Sequence, residues 1–244
     1  MELRNKVALV TGGAHRVGRG IALTLANAGA HVAFTYHTAA AEARATLAQI
    51  NRSGVKAVSI ECDQQQPDQI DALFKSLRRE FDQLDLVVNS AAIMERRPVL
   101  EITPDHWERV FNTNLRGPFF IAQHAARWMT ETQTRGCIVN IADTSALRPW
   151  PSYAAHTASK AALVALTRAL ALALAPAIRV NALLPGAILK PPDWDDERWE
   201  RMNAQIPLQH AGTPGDVGDA VLFCARSDFM TGEAIVIDGG RSLK

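Results

Sequence analysis

The feature that most constrains the fold is a rhythm: short β-branched and aliphatic runs alternate with longer segments of helical periodicity. "KVALVT" (Lys6 to Thr11) reads as a buried strand. "HVAFTY", "KAVSIECD", "LDLVVNSAA", "GCIVNIA", "IRVNALLPG" and "EAIVIDGG" read as six more. The periodicity between them predicts helices: "IALTLANAG", closed by Gly29; "AAAEARATLAQINRSG", ending at Gly54; and the acidic stretch Asp68 to Phe81. A long helix starts at Pro104 and reaches about Thr130, another runs from about Tyr153 to Ala175, and a last one lies near Asp216. Such alternation makes the strands parallel, with right-handed helical crossovers. The expected architecture is α/β: a single doubly wound Rossmann-type domain over residues 1–244, with a seven-stranded parallel sheet flanked by helices. "KPPDWDDERWERMNAQIP" (residues 190–207) breaks the rhythm and reads as a small lid insertion over a substrate.

Composition narrows the function classes. A chain of 244 residues suits one large α/β domain, and a net charge of +1 gives no electrostatic footprint for nucleic acid or a membrane surface. Cys62, Cys137 and Cys224 are odd in number and far apart, which fits reduced thiols of a cytoplasmic protein and neither a disulfide framework nor a metal site. The N-terminus runs straight into a strand without the apolar core of a signal peptide. "ALVALTRALALALA" (Ala162 to Ala175) is strongly apolar, but it carries Arg168 and falls short of membrane length, so a helix packed on both sides, in a core or a subunit interface, is expected.

"VTGGAHRVGRG" (Val10 to Gly20) lies where the first strand turns into the first helix. Glycines there let the backbone approach a pyrophosphate, and the helix N-terminus supplies amides and a positive dipole. Gly12, Arg16, Val17 and Gly18 are the expected cofactor contacts in this loop. Dinucleotide sites for NAD place Asp or Glu at the end of the second strand, to hold the ribose diol. Here Tyr36, His37 and Thr38 stand there, with no acid until Glu42. A missing carboxylate with the Arg16 guanidinium opposite favours a 2′-phosphate, hence NADP(H); His37 also reads as a solvated loop residue.

With these residues in place the chain resembles the short-chain dehydrogenase/reductase family over essentially its whole length. Thr11, Gly12 and Gly18 resemble that family's TGxxxGxG; "CD" brings Asp63 to the adenine; "NSAA" brings Asn89 and Ala91 beside the ribose. Asn114 matches the asparagine that kinks the long helix and holds a relay water. "LPGAI" brings Pro185, Gly186 and Ile188 to the nicotinamide amide, and "DGG" (Asp238 to Gly240) matches the C-terminal strand end. The resemblance implies an oxidoreductase acting on a small molecule, assembled as a homotetramer or homodimer through its two long helices.

Three departures qualify that implication. Arg16 replaces the loop's second glycine, giving TGxxxRxG, and Asp143 stands thirteen residues before His156 where the family has its catalytic serine. Both resemble pteridine reductases and dihydromonapterin reductases, a branch that uses NADPH. The third is His156 itself: Lys160 minus four, the tyrosine position of YxxxK, holds histidine. The resemblance then assigns the catalytic constellation to Asn114, Asp143, His156 and Lys160, with Lys160 also holding the nicotinamide ribose. Imidazole is a competent general acid near neutral pH, but it extends roughly 2 Å less from the backbone than a phenol. Tyr153, about two turns before Lys160, stands as a displaced donor. Two functions stay open: an NADPH-dependent reductase of a carbonyl or pteridine-like molecule, and an NADP(H)-binding protein with little or no catalysis. Met94, Tyr153 and Trp194 are the candidate substrate contacts; Trp194 and Trp199 serve equally well as lid packing.

Overall fold

The computed structural model describes residues 1–244. Its seven strands are β1 (Val7–Val10), β2 (His31–Tyr36), β3 (Ala57–Glu61), β4 (Leu86–Asn89), β5 (Gly136–Ile141), β6 (Ile178–Pro185) and β7 (Ala234–Ile237). They form one parallel sheet in the order β3-β2-β1-β4-β5-β6-β7. The helices are α1 (Arg16–Asn27), α2 (Ala40–Asn51), α3 (Pro67–Glu80), α4 (Pro104–Phe111), α5 (Gly117–Glu131), α6 (Ala154–Leu174), α7 (Asp196–Ala204) and α8 (Pro214–Arg226).

Alternation along each strand builds two cores. Ala8, Val10, Val32, Phe34, Leu86 and Val88 face α1, α2 and α8, whereas Val7, Leu9, Ala33, Val87, Ile138 and Val180 face α3, α5 and the end of α6. Each fully buried Val, Leu, Ile or Phe of this kind contributes about 1.5–3 kcal/mol, which outweighs local preference and lets strands of four residues persist. The strands read as unbroken apolar runs because both faces are covered.

The strand order reverses between β1 and β4, and the crevice beyond their carboxyl ends is where such sheets take ligands. The long helix expected from Pro104 to Thr130 is two helices, α4 and α5, joined by a π-helical turn over Asn112–Arg116. Extra residues in such a turn bulge a helix and re-aim side chains. Within the chain, α6 is packed on one side. In α6, His156, Ser159, Lys160, Leu163, Val164, Thr167 and Ala171 are buried, while Ala161, Ala165, Ala169 and Leu172 lie exposed. Residues Pro151–Leu174 are long and apolar enough to cross a membrane by length and composition alone. Within residues 190–207 the lid candidate forms α7, whose Asp195 carboxylate accepts from the Arg198 amide as an N-cap.

Candidate active site

The glycine loop is held by its neighbours. The Gly12 amide donates to the Thr35 hydroxyl at 3.2 Å, and the Gly13 amide donates to the Thr35 carbonyl at 3.0 Å. A Cβ on Gly12, whose φ is +64°, would stand 2.9 Å from the Ala91 Cα. The Thr11 hydroxyl accepts from the amides of Ser90 and Ala91, both at 3.0 Å, so the loops after β1 and β4 form one unit at the switch point. Helix α1 starts without a side-chain cap and without an acid in its first turn, which leaves its amides and positive dipole open to an anion. Arg16 is exposed, has φ +52° and forms no ion pair. This cradle fits a nucleotide pyrophosphate.

Around it the expected cofactor residues fall as follows. Tyr36 is half-buried at the end of β2, and His37 and Thr38 are exposed beyond it. Asp63 accepts from the Gln65 amide at 3.0 Å in the loop after β3. Pro185 ends β6, and Gly186 packs so closely on Asp238 that a Cβ would stand 2.6 Å from the Asp238 Cβ. Ile188 is buried on the α1 side of the core. Asn89 departs from expectation. Its side chain points inward and donates to Asn140 Oδ1 at 2.9 Å, because the β4–β5 register sets the two side by side inside the sheet; Asn140 in turn donates to Thr167. Only its backbone is left for the ribose. Gln64 is a residue that the sequence did not signal. Its buried amide donates to the carbonyls of Ala91 at 3.1 Å and Thr113 at 2.7 Å, tying the loops after β3 and β4 to the π-turn.

The candidate catalytic residues do converge. The π-turn presents Asn114, which accepts from the Ile93 amide and donates to the Ile93 carbonyl, both at 2.9 Å. The side-chain amide of Asn114 also donates to Ser159 at 3.1 Å, so its side chain is engaged by protein groups. His156, in the first turns of α6, places Nδ1 3.0 Å from the Ile93 carbonyl and Nε2 2.5 Å from Asp143 Oδ2. Asp143 N-caps a short 3₁₀ turn, with Oδ1 accepting from both the amide and the hydroxyl of Ser145. One turn on from His156, buried Lys160 donates from Nζ to the Ile141 carbonyl at 2.7 Å.

Charge is unevenly distributed over this cluster. Burial pushes the Asp143 carboxyl up, but the hydrogen bond and charge of His156, the Lys160 ammonium and Ser145 outweigh it and hold it below the usual carboxylate range. Burial lowers the Lys160 ammonium from its ordinary value, with Asp143 opposing the shift.

The mouth of the site is aromatic on one side. Trp150 lies parallel to the His156 ring at 6.2 Å between centroids, and Tyr153 meets Trp150 edge-on at 5.8 Å. The Tyr153 hydroxyl bonds to none of Asp143, Asn114 or Lys160. Met94 is half-exposed in the loop after β4. Trp194 is engaged within the lid, edge-on to Trp199 at 6.4 Å and under the Arg198 guanidinium at 4.0 Å.

A doubly wound sheet with an anion cradle at its switch point and an ionisable cluster at the next strand end defines a nucleotide-dependent oxidoreductase scaffold. A family model described as enoyl-(acyl carrier protein) reductase matches residues 12–242. The chain is 34% identical to hydroxynaphthalene reductase-like protein Arp2 of Metarhizium robertsii, over 98% of this chain and 95% of that protein. It is likewise 34% identical to 3-oxoacyl-[acyl-carrier-protein] reductase FabG of Staphylococcus aureus, over 96% of this chain and 97% of that one. The crystal structure of acetoin dehydrogenase from Enterobacter cloacae superposes with a TM-score of 0.90 at 34% identity, covering 98% of this chain and 96% of that one. The chain belongs to the short-chain dehydrogenase/reductase family.

Proposed function

We propose that this chain is an NADPH-dependent reductase of a carbonyl or pteridine-like small molecule, with Asn114, Asp143, His156 and Lys160 as its working residues. The observation that carries this reading is the contact of His156 Nε2 with Asp143 Oδ2 beside the buried Lys160: a pair that shares a proton next to a lysine. NADPH, when bound, supplies the hydride. The open N-terminus of α1 with Gly12, Val17 and Gly18 would hold its pyrophosphate, and Arg16 with His37 and Thr38 its 2′-phosphate. Asp63, the Ala91 backbone and the Pro185–Ile188 segment would line the rest of the cofactor, and Lys160 would hold the ribose. Asp143 and His156 deliver the proton, in the place where the family pattern expects serine and tyrosine. Met94, Trp150 and Tyr153 border the substrate, which supports a planar or apolar one. The apolar groove between α5 and α6, lined by Phe119, Leu170 and Leu174, supports assembly as a homotetramer or homodimer. The family's setting supports a cytoplasmic protein.

Fluorescence titration with NADPH and NADH tests the cofactor half. Arg16→Ala removes a charge-assisted contact of about 1.5–3 kcal/mol, so NADPH weakens by roughly 10- to 150-fold while NADH barely changes. Equal affinity of the native chain for both cofactors sinks the 2′-phosphate argument. For the substrate half, a panel of dihydrobiopterin, dihydrofolate, quinones, acetoin, hydroxynaphthalenes, 3-oxoacyl thioesters and simple ketones is assayed by NADPH oxidation. A second reading is favoured by one observation: both ring nitrogens of His156 are already engaged by protein groups. It makes the chain an NADP(H)-binding protein with little turnover. His156→Tyr separates the two, since it creates activity in a binding-only protein, whereas His156→Ala abolishes activity in a reductase.

A further inference from the structure

The hydrogen-bond network fixes more about His156 than its position. The Ile93 amide can only donate, so the Asn114 atom that faces it is Oδ1, and Nδ2 faces the Ile93 carbonyl. The two Nδ2 hydrogens are then used, one on the Ile93 carbonyl at 2.9 Å and one on Ser159 Oγ at 3.1 Å. None is left for His156 Nδ1, which lies 3.4 Å away. Nδ1 instead sits 3.0 Å from the same Ile93 carbonyl, an acceptor only. Nδ1 therefore carries a hydrogen and donates it there.

On the other side of the ring, Nε2 and Asp143 Oδ2 are 2.5 Å apart. Two bare lone pairs repel at that distance, so one proton lies between them. Oδ1 is already occupied by the Ser145 amide and hydroxyl, which leaves Oδ2 as the only carboxylate oxygen that can take part. Imidazolium facing carboxylate, and Nδ1–H imidazole facing carboxylic acid, contain the same number of protons.

We propose that Asp143 and His156 form a single proton donor, a couple that shares one transferable proton on the Nε2···Oδ2 line, with the imidazole locked in its Nδ1–H form by the Ile93 carbonyl. The inference rests on the reductase reading for its acceptor, which is a carbonyl or C=N group. As hydride reaches the acceptor carbon, its oxygen or nitrogen takes the shared proton, and a new O–H or N–H bond replaces the one in the couple. What remains is a carboxylate beside a neutral Nδ1–H imidazole, with one negative charge, which water reprotonates.

Long-range ¹H–¹⁵N correlation spectra of the ligand-free, ¹⁵N-labelled protein read this directly. The His156 ring is picked out of the seven histidines by its loss in His156→Gln and by its nuclear Overhauser contact with Ile93. The expected spectrum shows a protonated Nδ1 throughout the neutral range and a far-downfield proton on Nε2 that disappears in Asp143→Asn. A bare Nδ1 with an ordinary Nε2–H overturns the couple, whatever the activity. Kinetics supply the second arm on any substrate that the panel turns over. Asp143→Asn and His156→Gln each lower kcat by roughly 10²- to 10⁴-fold, and the double variant loses no more than the worse single. Losses that multiply mean two independent groups and overturn the proposal. A panel with no turnover overturns the reductase reading instead, and the tautomer measurement still decides the couple.

Discussion

Asn114 grips Ile93 by both ends of its side-chain amide, accepting from the backbone N–H and donating to the carbonyl at 2.9 Å each. That grip places the Ile93 carbonyl under His156 and makes the π-turn part of the site. Asn114→Ala leaves a buried amide and carbonyl under-satisfied and costs about 1–3 kcal/mol. Asn114→Asp turns an oxygen toward the Ile93 carbonyl, so its deficit in urea unfolding shrinks at acid pH, where protonation restores a donor. The deficit of Asn114→Ala stays constant. Parallel pH curves for the two variants contradict the grip.

Gly18 has no room for a side chain. A Cβ there would overlap the Gly12 carbonyl oxygen and lie 2.8 Å from its carbon, both backbone atoms of the cradle. Gly18→Ala is expected to cost about 1–3 kcal/mol and to displace the loop from any phosphate. Gly54→Ala, with φ +74° and open space around it, is the control: about 1–2 kcal/mol of backbone strain and no change in NADPH affinity. Unchanged cofactor binding in Gly18→Ala removes the loop from the site.

Gln64 binds three loops without facing the mouth of the crevice. Gln64→Leu keeps the volume but removes donors to Ala91 and Thr113, at about 1–3 kcal/mol. Loosening the strand end against which Gly12 packs should raise KM for NADPH severalfold and leave kcat nearly intact. A fall in kcat with KM unchanged points instead to the π-turn as the affected part.

The pH dependence of stability follows from two shifted groups. The Asp143 carboxyl is lower in the folded chain than its ordinary 3.8, so its contribution is fully present above that value and is lost as pH falls through the folded one. Lys160 is also lowered on folding, from an ordinary 10.5. The unfolded chain therefore binds more protons between the two lysine values, and stability rises with pH there. Asp143→Asn should flatten the acid decline and Lys160→Met the alkaline rise in urea midpoints. If Lys160→Met runs parallel to the native chain above neutral pH, the ammonium is not held as described.

Burial pushes the thiols of Cys62 and Cys137 up to about 11 and that of Cys224 up to about 12. With so little thiolate, none should react quickly with a disulfide reagent near pH 8 in the native chain, and all three should react on unfolding. One fast thiol in the native protein would show that its layer opens locally.

The strand–helix rhythm, the glycine loop and the spacing from Asp143 to His156 to Lys160 were legible in the sequence because each depends on residue type at fixed intervals. Gln64 was not, since a buried glutamine in a loop has no periodicity and shows its purpose only through carbonyls distant in the chain. The inward turn of Asn89 depends on Asn140, which becomes its neighbour only through the β4–β5 register. The π-turn was foreshadowed only as a kink at Asn114, because one extra residue per turn leaves no pattern of its own. Trp150 gave no signal: its relation to His156 comes from the 3₁₀ turn at Pro151–Tyr153, which sets the entry of α6.

The hydrogen bond between Asp143 and His156 joins residues thirteen apart and so closes the segment between β5 and α6 into a ring. Inside the ring Leu147, Arg148, Pro149 and Pro151 lie exposed, while Thr144 and Ser145 are buried at its root. Leu147, Arg148 and Pro149 are consecutive and precede the turn at Pro151, so their chemistry can change without disturbing the couple. A change in the number of residues has to bulge outward at the same place. Changes of selectivity at this ring are therefore expected as substitutions on a short solvent-facing arc, with the hydrogen bond at its root left in place.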